Sequence, residues 1–340
     1  MWKTIILAAP GLWLFGCPEQ DHHSGAPANT STDTSTDTST DTSTDTSTDT
    51  STDTSTDPGS DSGSLPCDPL ACEPGTIGCT CHQADTCESP GTCSFGRCVS
   101  VQDGMALVPE GEFCMGCNDA VDDACISHEY PSHRVLLSTF EIDVLEVTQV
   151  DYAACIAAGV CNVPDDTMGC YDRWDPELLS EHPVVCIPFD DANAYCNWLD
   201  KDLPTEAQWE KAARGIEALR FPFGNDTPTC DMTNFAPNDE PCIDATQPVG
   251  SYPQNASPYG VLDMAGNVWE RTLDWYQPDG YERSEPSEID IDPKGPLEGT
   301  SRVLRGGGFT SPETFVRASS RDGARAPWIT ARNVGLRCVR

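Results

Sequence analysis

The 340-residue chain predicts an α/β (α+β) domain of low regular secondary structure, preceded by a small disulfide-rich module. Three observations predict this class. Paired helix start and stop signals are few and bound short segments, and strand-like apolar runs are also short. The rest of the C-terminal two-thirds is rich in Pro, Gly and Asn and reads as loops too long for a compact domain unless something pins them. Cysteine is the abundant candidate pin: the chain has 19, and 18 remain when Cys17 is set aside.

Residues 1–17, "MWKTIILAAPGLWLFGC", carry one Lys and an apolar run through Leu14 that is short for a membrane span, then "LFGC". This resembles a bacterial lipoprotein signal ending at Cys17, which predicts lipid on that thiol; the plainer reading is an ordinary signal peptide. Residues 18–66 contain "TSTD" seven times between Thr30 and Asp57. With no apolar residue and a charge every fourth position, the repeat cannot bury enough surface to offset chain ordering, and it predicts a solvated acidic tether.

Residues 67–100, "CDPLACEPGTIGCTCHQADTCESPGTCSFGRCVS", are too few for an apolar core and require staples. Seven cysteines lie here and eleven from Cys114 to Cys338, so an exported chain reads as up to nine disulfides. Both blocks are odd, which implies one bridge between them. The ending "GTCSFGRC" looks like small EGF-type or whey-acidic-type modules, and a zinc site of Cys79, Cys81 and His82 is the sharper alternative.

From about residue 104 the composition is that of a globular domain running to 340. Thr148, with Asp151 three residues on, caps "QVDYAACIAAG", which Gly159 ends. Ala192, Tyr195, Cys196 and Leu199 share one face of a second helix. Thr205 and Gln208 form a capping box on "LPTEAQWEKAARG", which Gly215 closes. Strands are predicted at "HRVLLSTFEID" and "RVLRGGGF".

The net charge of −36 owes only seven units to the repeat aspartates, so acidity extends through the folded part. That argues against nucleic acid and against an anionic membrane surface as partners. "CMGC", Cys114 to Cys117, has redox and zinc spacing with Cys125, His128 and His133 nearby, but structural disulfides are the favoured use. Trp198, Trp209 and Trp269 read as core before cleft, and Arg305, Arg321 and Arg337 as buried partners of carboxylates before anion ligands. In "DMAGNVWERTLDW", Asp263 and Glu270 are hard oxygen ligands flanking a turn, with the carbonyls of Gly266 and Val268 between them, a set that suits calcium.

"LPTEAQWEKAARG", "YGVLDMAGNVWERT", "RVLRGGGF" and the terminal "NVGLRCVR" stand in the order of the formylglycine-generating enzyme (sulfatase-modifying factor) family, and "GEFCMGCND" resembles its opening strand. The resemblance covers residues 104–340 and implies a fold related to C-type lectins. It implies two calcium sites, one on Asp263, Gly266, Val268 and Glu270, the other on Asn234 and the Phe235 carbonyl with later ligands near Asp239 and Glu240. Its activity is oxidation of a sulfatase cysteine to formylglycine with copper(I), held by two cysteines in "RGGS-x-x-C-x-x-x-x-C". Those positions here are Ser311 and Val316, a hard ligand and none. Ser311 as a nucleophile would need a base, and His182 is the nearest histidine in sequence.

The expectation is therefore a lipid-anchored envelope protein whose domain has lost copper catalysis and binds a protein or glycan ligand, stabilised by calcium, in a cleft past Trp269, Arg305 and Ser311. The alternative is an enzyme: an active formylglycine-generating oxidase, or another reaction on the same cleft.

Overall fold

The computed structural model describes residues 70–82, 85–166, 169–282, 288–323 and 326–340. The lipobox at Cys17, the tether and Cys67 lie outside them. Among the described residues, no helix is long and apolar enough to cross a membrane.

Among the described residues, twelve short strands and three α-helices alternate with loops. A hairpin of β1 (Thr92–Ser94) and β2 (Arg97–Val99) closes the cysteine module. Next come β3 (Val101–Gln102), β4 (Met105–Val108), β5 (Gly111–Met115), β6 (His133–Leu137) and β7 (Phe140–Asp143). The helices follow: α1 (Gln149–Ala157), α2 (Phe189–Trp198) and α3 (Glu206–Arg214). The remaining strands are β8 (Trp269–Trp275), β9 (Ile289–Ile291), β10 (Arg302–Arg305), β11 (Arg321–Asp322) and β12 (Val334–Gly335). They form three further sheets, ordered β3-β4-β7, β5-β6-β9 and β11-β10-β8-β12. Pairing is antiparallel except for β6 with β9 and β8 with β12.

Local chemistry sets the helices where expected. Thr148 accepts from the Asp151 N–H, both arms of the Thr205–Gln208 capping box are made, and Gly215 ends α3 at φ 65°. Two expectations need correction. Leu199 is 40 % exposed and stands at the C-cap of α2, past the face shared by Ala192, Tyr195 and Cys196. The predicted single strand through "HRVLLSTFEID" is two strands in different sheets. Asp292 accepts from both the N–H and the hydroxyl of Ser138, and Thr139 accepts from Glu110 N–H, so the ladder breaks there.

The main core forms where Ala207, Trp209, Ala212 and Ala213 of α3 pack on Val108, Phe113, Val135, Leu137 and Ile142. The alanines let the sheets approach closely, and the helix is so enclosed that its polar residues are buried too. Lys211 donates to the carbonyls of Pro109 and Gly111, both at 2.8 Å. A second core joins α1 and α2 through Tyr152, Phe189, Ala192 and Tyr195 to Val184, Ile187 and Leu336.

Disulfides pin the loops, as the composition requires. Cys72–Cys79, Cys81–Cys93 and Cys87–Cys98 staple the module. Cys117–Cys125, Cys155–Cys161, Cys170–Cys186, Cys196–Cys338 and Cys230–Cys242 staple the domain. Cys114 is disulfide-bonded as well, and every other described cysteine has one of these partners, so its own lies outside the described residues. "CMGC" is therefore no redox pair, since Cys117 bonds Cys125. The zinc alternative on Cys79 and Cys81 also fails, because both sulfurs are in bridges.

The module sits on the domain through Arg97, which pairs with Glu217, while its bond to Gly78 O at 3.1 Å holds it within the module. Val99 packs against Gly260, and Ile77 against the main core.

Candidate functional site

The loop after β10 is built by close approach. Gly307 has φ 70°, and a Cβ there would lie 2.7 Å from Val316 Cγ1 and 2.8 Å from Phe315 O. Only glycine permits that return of the chain. Gly266 plays the same part opposite, with φ 78° and a virtual Cβ 2.4 Å from Asn234 O. Its N–H donates to Gly306 O at 2.8 Å, which ties the "DMAGN" turn to the "RGGGF" loop.

Inside this loop the two positions expected to hold copper thiolates have other work. Ser311 Oγ accepts from Gly308 N at 2.9 Å, and Ser311 N–H returns a bond to Gly308 O at 2.8 Å. Val316 is fully buried with Phe221, Phe235 and Ala265. A hydroxyl committed to a backbone turn and an isopropyl group in a core are not donors for a soft cation. Nor do cysteines elsewhere supply thiolate, since all 17 among the described residues are in disulfides. The residues present do not fit copper(I). His182 shares a hydrogen bond with Thr246 at 2.9 Å, and no contact joins it to Ser311 as a base.

The expected cleft residues come together only in part. Trp269 is 5 % exposed and packs beside Phe315, ring centroids 5.9 Å apart, and Phe315 forms the exposed rim. Arg305 faces no cleft. It is fully buried, donates to the carbonyls of Ala318, Ser319 and Ser320 at 2.9–3.0 Å, and pairs with Glu210. Its use is structural: it pulls the segment after the loop back onto β10.

Arg305 belongs to a buried lattice of guanidinium and carboxylate groups. Arg321 forks onto Glu206 at 2.7 and 2.8 Å, and Arg317 binds Glu129 and Asp122 at 2.6–2.8 Å. Arg337 forks onto Glu270 at 2.6 and 2.7 Å. Arg317 and all the acidic partners except Glu270 were absent from the sequence reading.

Two of the calcium expectations meet the structure differently. Glu270 is committed to Arg337 and to Trp209 Nε1 at 2.7 Å, so it serves first as a counter-ion. Asp263 accepts from Gly250 N at 2.5 Å, and Glu146, a residue the sequence reading missed, accepts from Asn267 Nδ2 at 2.6 Å and Val268 N at 3.3 Å. Burial pushes the Glu146 carboxyl well up, and the neighbouring Asp263 and Glu270 push it further. Burial raises Asp263 too, against the pull of Gly250 N–H and Arg337. Two buried carboxylates, Glu146 and Glu270, and the half-buried one of Asp263 thus face one guanidinium, an imbalance that a hard cation would correct. In the second set, Asn234 Oδ1 is buried without a hydrogen-bond partner, while its Nδ2 donates to Ala245 O at 2.9 Å. The Phe235 carbonyl accepts from Cys242 N at 2.8 Å, and Asp239 and Glu240 are exposed. The orphaned oxygen and the crowded carboxylates both fit hard-cation binding.

Residues 94–340 match the family model described as the sulfatase-modifying factor enzyme 1-like domain. The chain belongs to the sulfatase-modifying factor family. Among similar proteins is the formylglycine-generating enzyme of Thermomonospora curvata, 32 % identical over 286 residues, covering 69 % of this chain and 93 % of that one. The serine/threonine-protein kinase pkn1 of Chlamydia pneumoniae is 36 % identical over 251 residues, or 69 % of this chain; the match spans 38 % of the kinase's length. The structure of PvdO from Pseudomonas aeruginosa superposes with a TM-score of 0.58 at 26 % identity, covering 74 % of this chain and 99 % of that one. This sulfatase-modifying factor domain thus shares a sheet-rich fold of few helices with its solved relative.

Proposed function

We propose that this protein is an exported, lipid-anchored binding module of the sulfatase-modifying factor family that has lost copper oxidase activity. One observation carries the reading: the two copper-thiolate positions hold Ser311, spent on Gly308 N–H, and Val316, packed in a core. The signal-like segment ending at Cys17 and the acidic tether support an envelope location with lipid on that cysteine. The ligand is a protein segment or glycan of the same compartment, and a rigid frame presenting long loops suits that use. The test is to incubate the purified chain with copper(I), oxygen and a peptide containing "CxPxR", and to follow the peptide cysteine by mass spectrometry. The expected result is no formylglycine and no copper uptake. Conversion would overturn the reading in favour of an active formylglycine-generating oxidase.

Calcium stabilises the domain in this proposal, held by Asp263 with Glu146 nearby, and by Asn234 with the Phe235 carbonyl. Calcium at a hundredfold excess over its Kd should add about 2.7 kcal/mol, raising the melting temperature by roughly 5–10 °C. Asp263→Ala should remove part of that rise. Glu270→Ala is the wrong probe, because it strands Arg337 and lowers the melting temperature with or without calcium. Superimposable melting curves in calcium and in chelator would remove calcium from the proposal.

A further inference from the structure

Where the cysteine module meets the domain, a hollow of about 130 Å³ lies between hairpin β1–β2 and the loops around 219–223 and 254–260. Both parts build its wall, and none of Trp269, Arg305, Ser311 or Val316 lines it. The hairpin turn has Phe95 and Gly96 at its centre, with φ of 44° and 82°. Two positive φ values in a two-residue hairpin turn favour Asn, Asp or Gly at the first place, because a Cβ crowds the backbone there. Phe is a poor choice for such a turn, and the residue is 68 % exposed, so the domain covers little of it. Backbone and solvent both disfavour this side chain, yet it stands at the mouth of a hollow.

The wall opposite carries Phe223, which stacks on Phe221 with ring centroids 5.6 Å apart and planes 6° from parallel, and is thereby held rigid. Pro258 adds a further apolar face. The lining also includes residues that carry hydrogen-bonding groups: Ser94, Gln254 and Arg97. Arg97 is matched by Glu217, so the wall offers donors and acceptors with little net charge.

Aromatic faces interleaved with neutral polar groups, in a space below the 300–1,000 Å³ of drug-sized sites, suit one ring with a C–H face and a rim of hydroxyls. We propose that this hollow binds a single neutral sugar ring of a glycan, with Phe95 covering its C–H face and Ser94, Gln254 and Arg97 meeting its hydroxyls. An apolar peptide side chain would use the rings and leave the polar groups unpaired, which costs affinity. This gives a location and a ligand class that the proposed binding role leaves open, and it does not depend on the loss of copper chemistry, since a positive copper assay would leave these residues untouched.

The test titrates the full-length chain with neutral monosaccharides and their disaccharides, read by saturation-transfer NMR and calorimetry. At least one sugar should bind, with Phe95→Asn weakening it tenfold or more and Gln254→Ala several-fold, while Ser311→Ala has no effect. Asn suits the turn, so Phe95→Asn should also raise the melting temperature. A structural Phe95 would make the same variant less stable. Binding to no sugar of the panel, sugar binding indifferent to Phe95→Asn, or displacement of the sugar by a Gly-Phe-Gly peptide at lower concentration would each overturn the proposal.

Discussion

Replacing Glu210 by alanine is expected to leave little folded protein. Its carboxylate is fully buried and accepts from Gly116 N at 2.7 Å, from Arg214 Nη1 at 3.0 Å and from Arg305. Burial alone would push this carboxyl up. Arg305 and Arg214 outweigh that effect and hold it below the usual glutamate value. Breaking one buried pair costs about 3–5 kcal/mol, and this change takes the nearest carboxylate from two guanidiniums at once, leaving Arg305 only the more distant Glu206 at 3.5 Å, against a total stability of roughly 5–15 kcal/mol. Glu210→Gln separates charge from volume, because it keeps the shape and an acceptor for Gly116. It should be nearly as damaging. Since the carboxyl is depressed in the folded state, its contribution is present above the unfolded value and is lost as pH falls through the folded one. The deficit of Glu210→Gln should therefore narrow below about pH 4. An unfolding free energy for Glu210→Gln, from denaturant titration, within roughly 1 kcal/mol of wild type at pH 7 would show that the lattice contributes little.

What the sequence made legible was whatever chemistry lies within a few residues. The Thr148 and Thr205 caps are local hydrogen bonds, and both helices start where the caps put them. The glycines of "RGGGF" and "DMAGN" encode a close approach that their neighbours alone do not specify, but their fixed order made the family recognisable. The break between β6 and β7 was not legible, because its cause, Asp292, is 154 residues from Ser138. The acidity of the chain favours buried carboxylate pairing for Arg305, Arg321 and Arg337, and all three are so paired, but the sequence does not show which carboxylates they meet, so Arg305 also stands among the expected cleft residues. The partners Glu206 and Glu210 sit four apart on a helix that reads as half-exposed, and only its enclosure by sheets on several sides buries them. Glu146 was missed for a similar reason: beside the Thr148 cap it looks like a solvated residue, and it meets Asp263 and Glu270 only after more than a hundred residues return to the same place.

Removing the Cys196–Cys338 bridge should have the largest effect of any disulfide change. It joins α2 to the C-terminal segment across 142 residues. In the chain-entropy model, closing a loop of that length restricts the unfolded chain by about 5 kcal/mol, against about 2 kcal/mol for a six-residue loop. The Cys230–Cys242 bridge inside the loop shortens it by 12 residues, which matters little in a logarithmic dependence. The segment it holds is the one that matters for the core: Leu336 and Cys338 pack on α1 and α2, Arg337 neutralises Glu270, and Val339 exchanges backbone bonds with Asp202 at 2.8 and 2.9 Å. Cys196→Ala with Cys338→Ala keeps both sites apolar, so the loss reads loop closure more than burial of a polar group. Cys155→Ala with Cys161→Ala is the matched control, since that pair is also buried but spans six residues. The long bridge should cost roughly 3 kcal/mol more than the short one in denaturant titrations. Equal losses would mean that the C-terminal segment is held by its packing and the Arg337–Glu270 pair, with the bridge restricting an unfolded chain already compact enough to keep the two cysteines close.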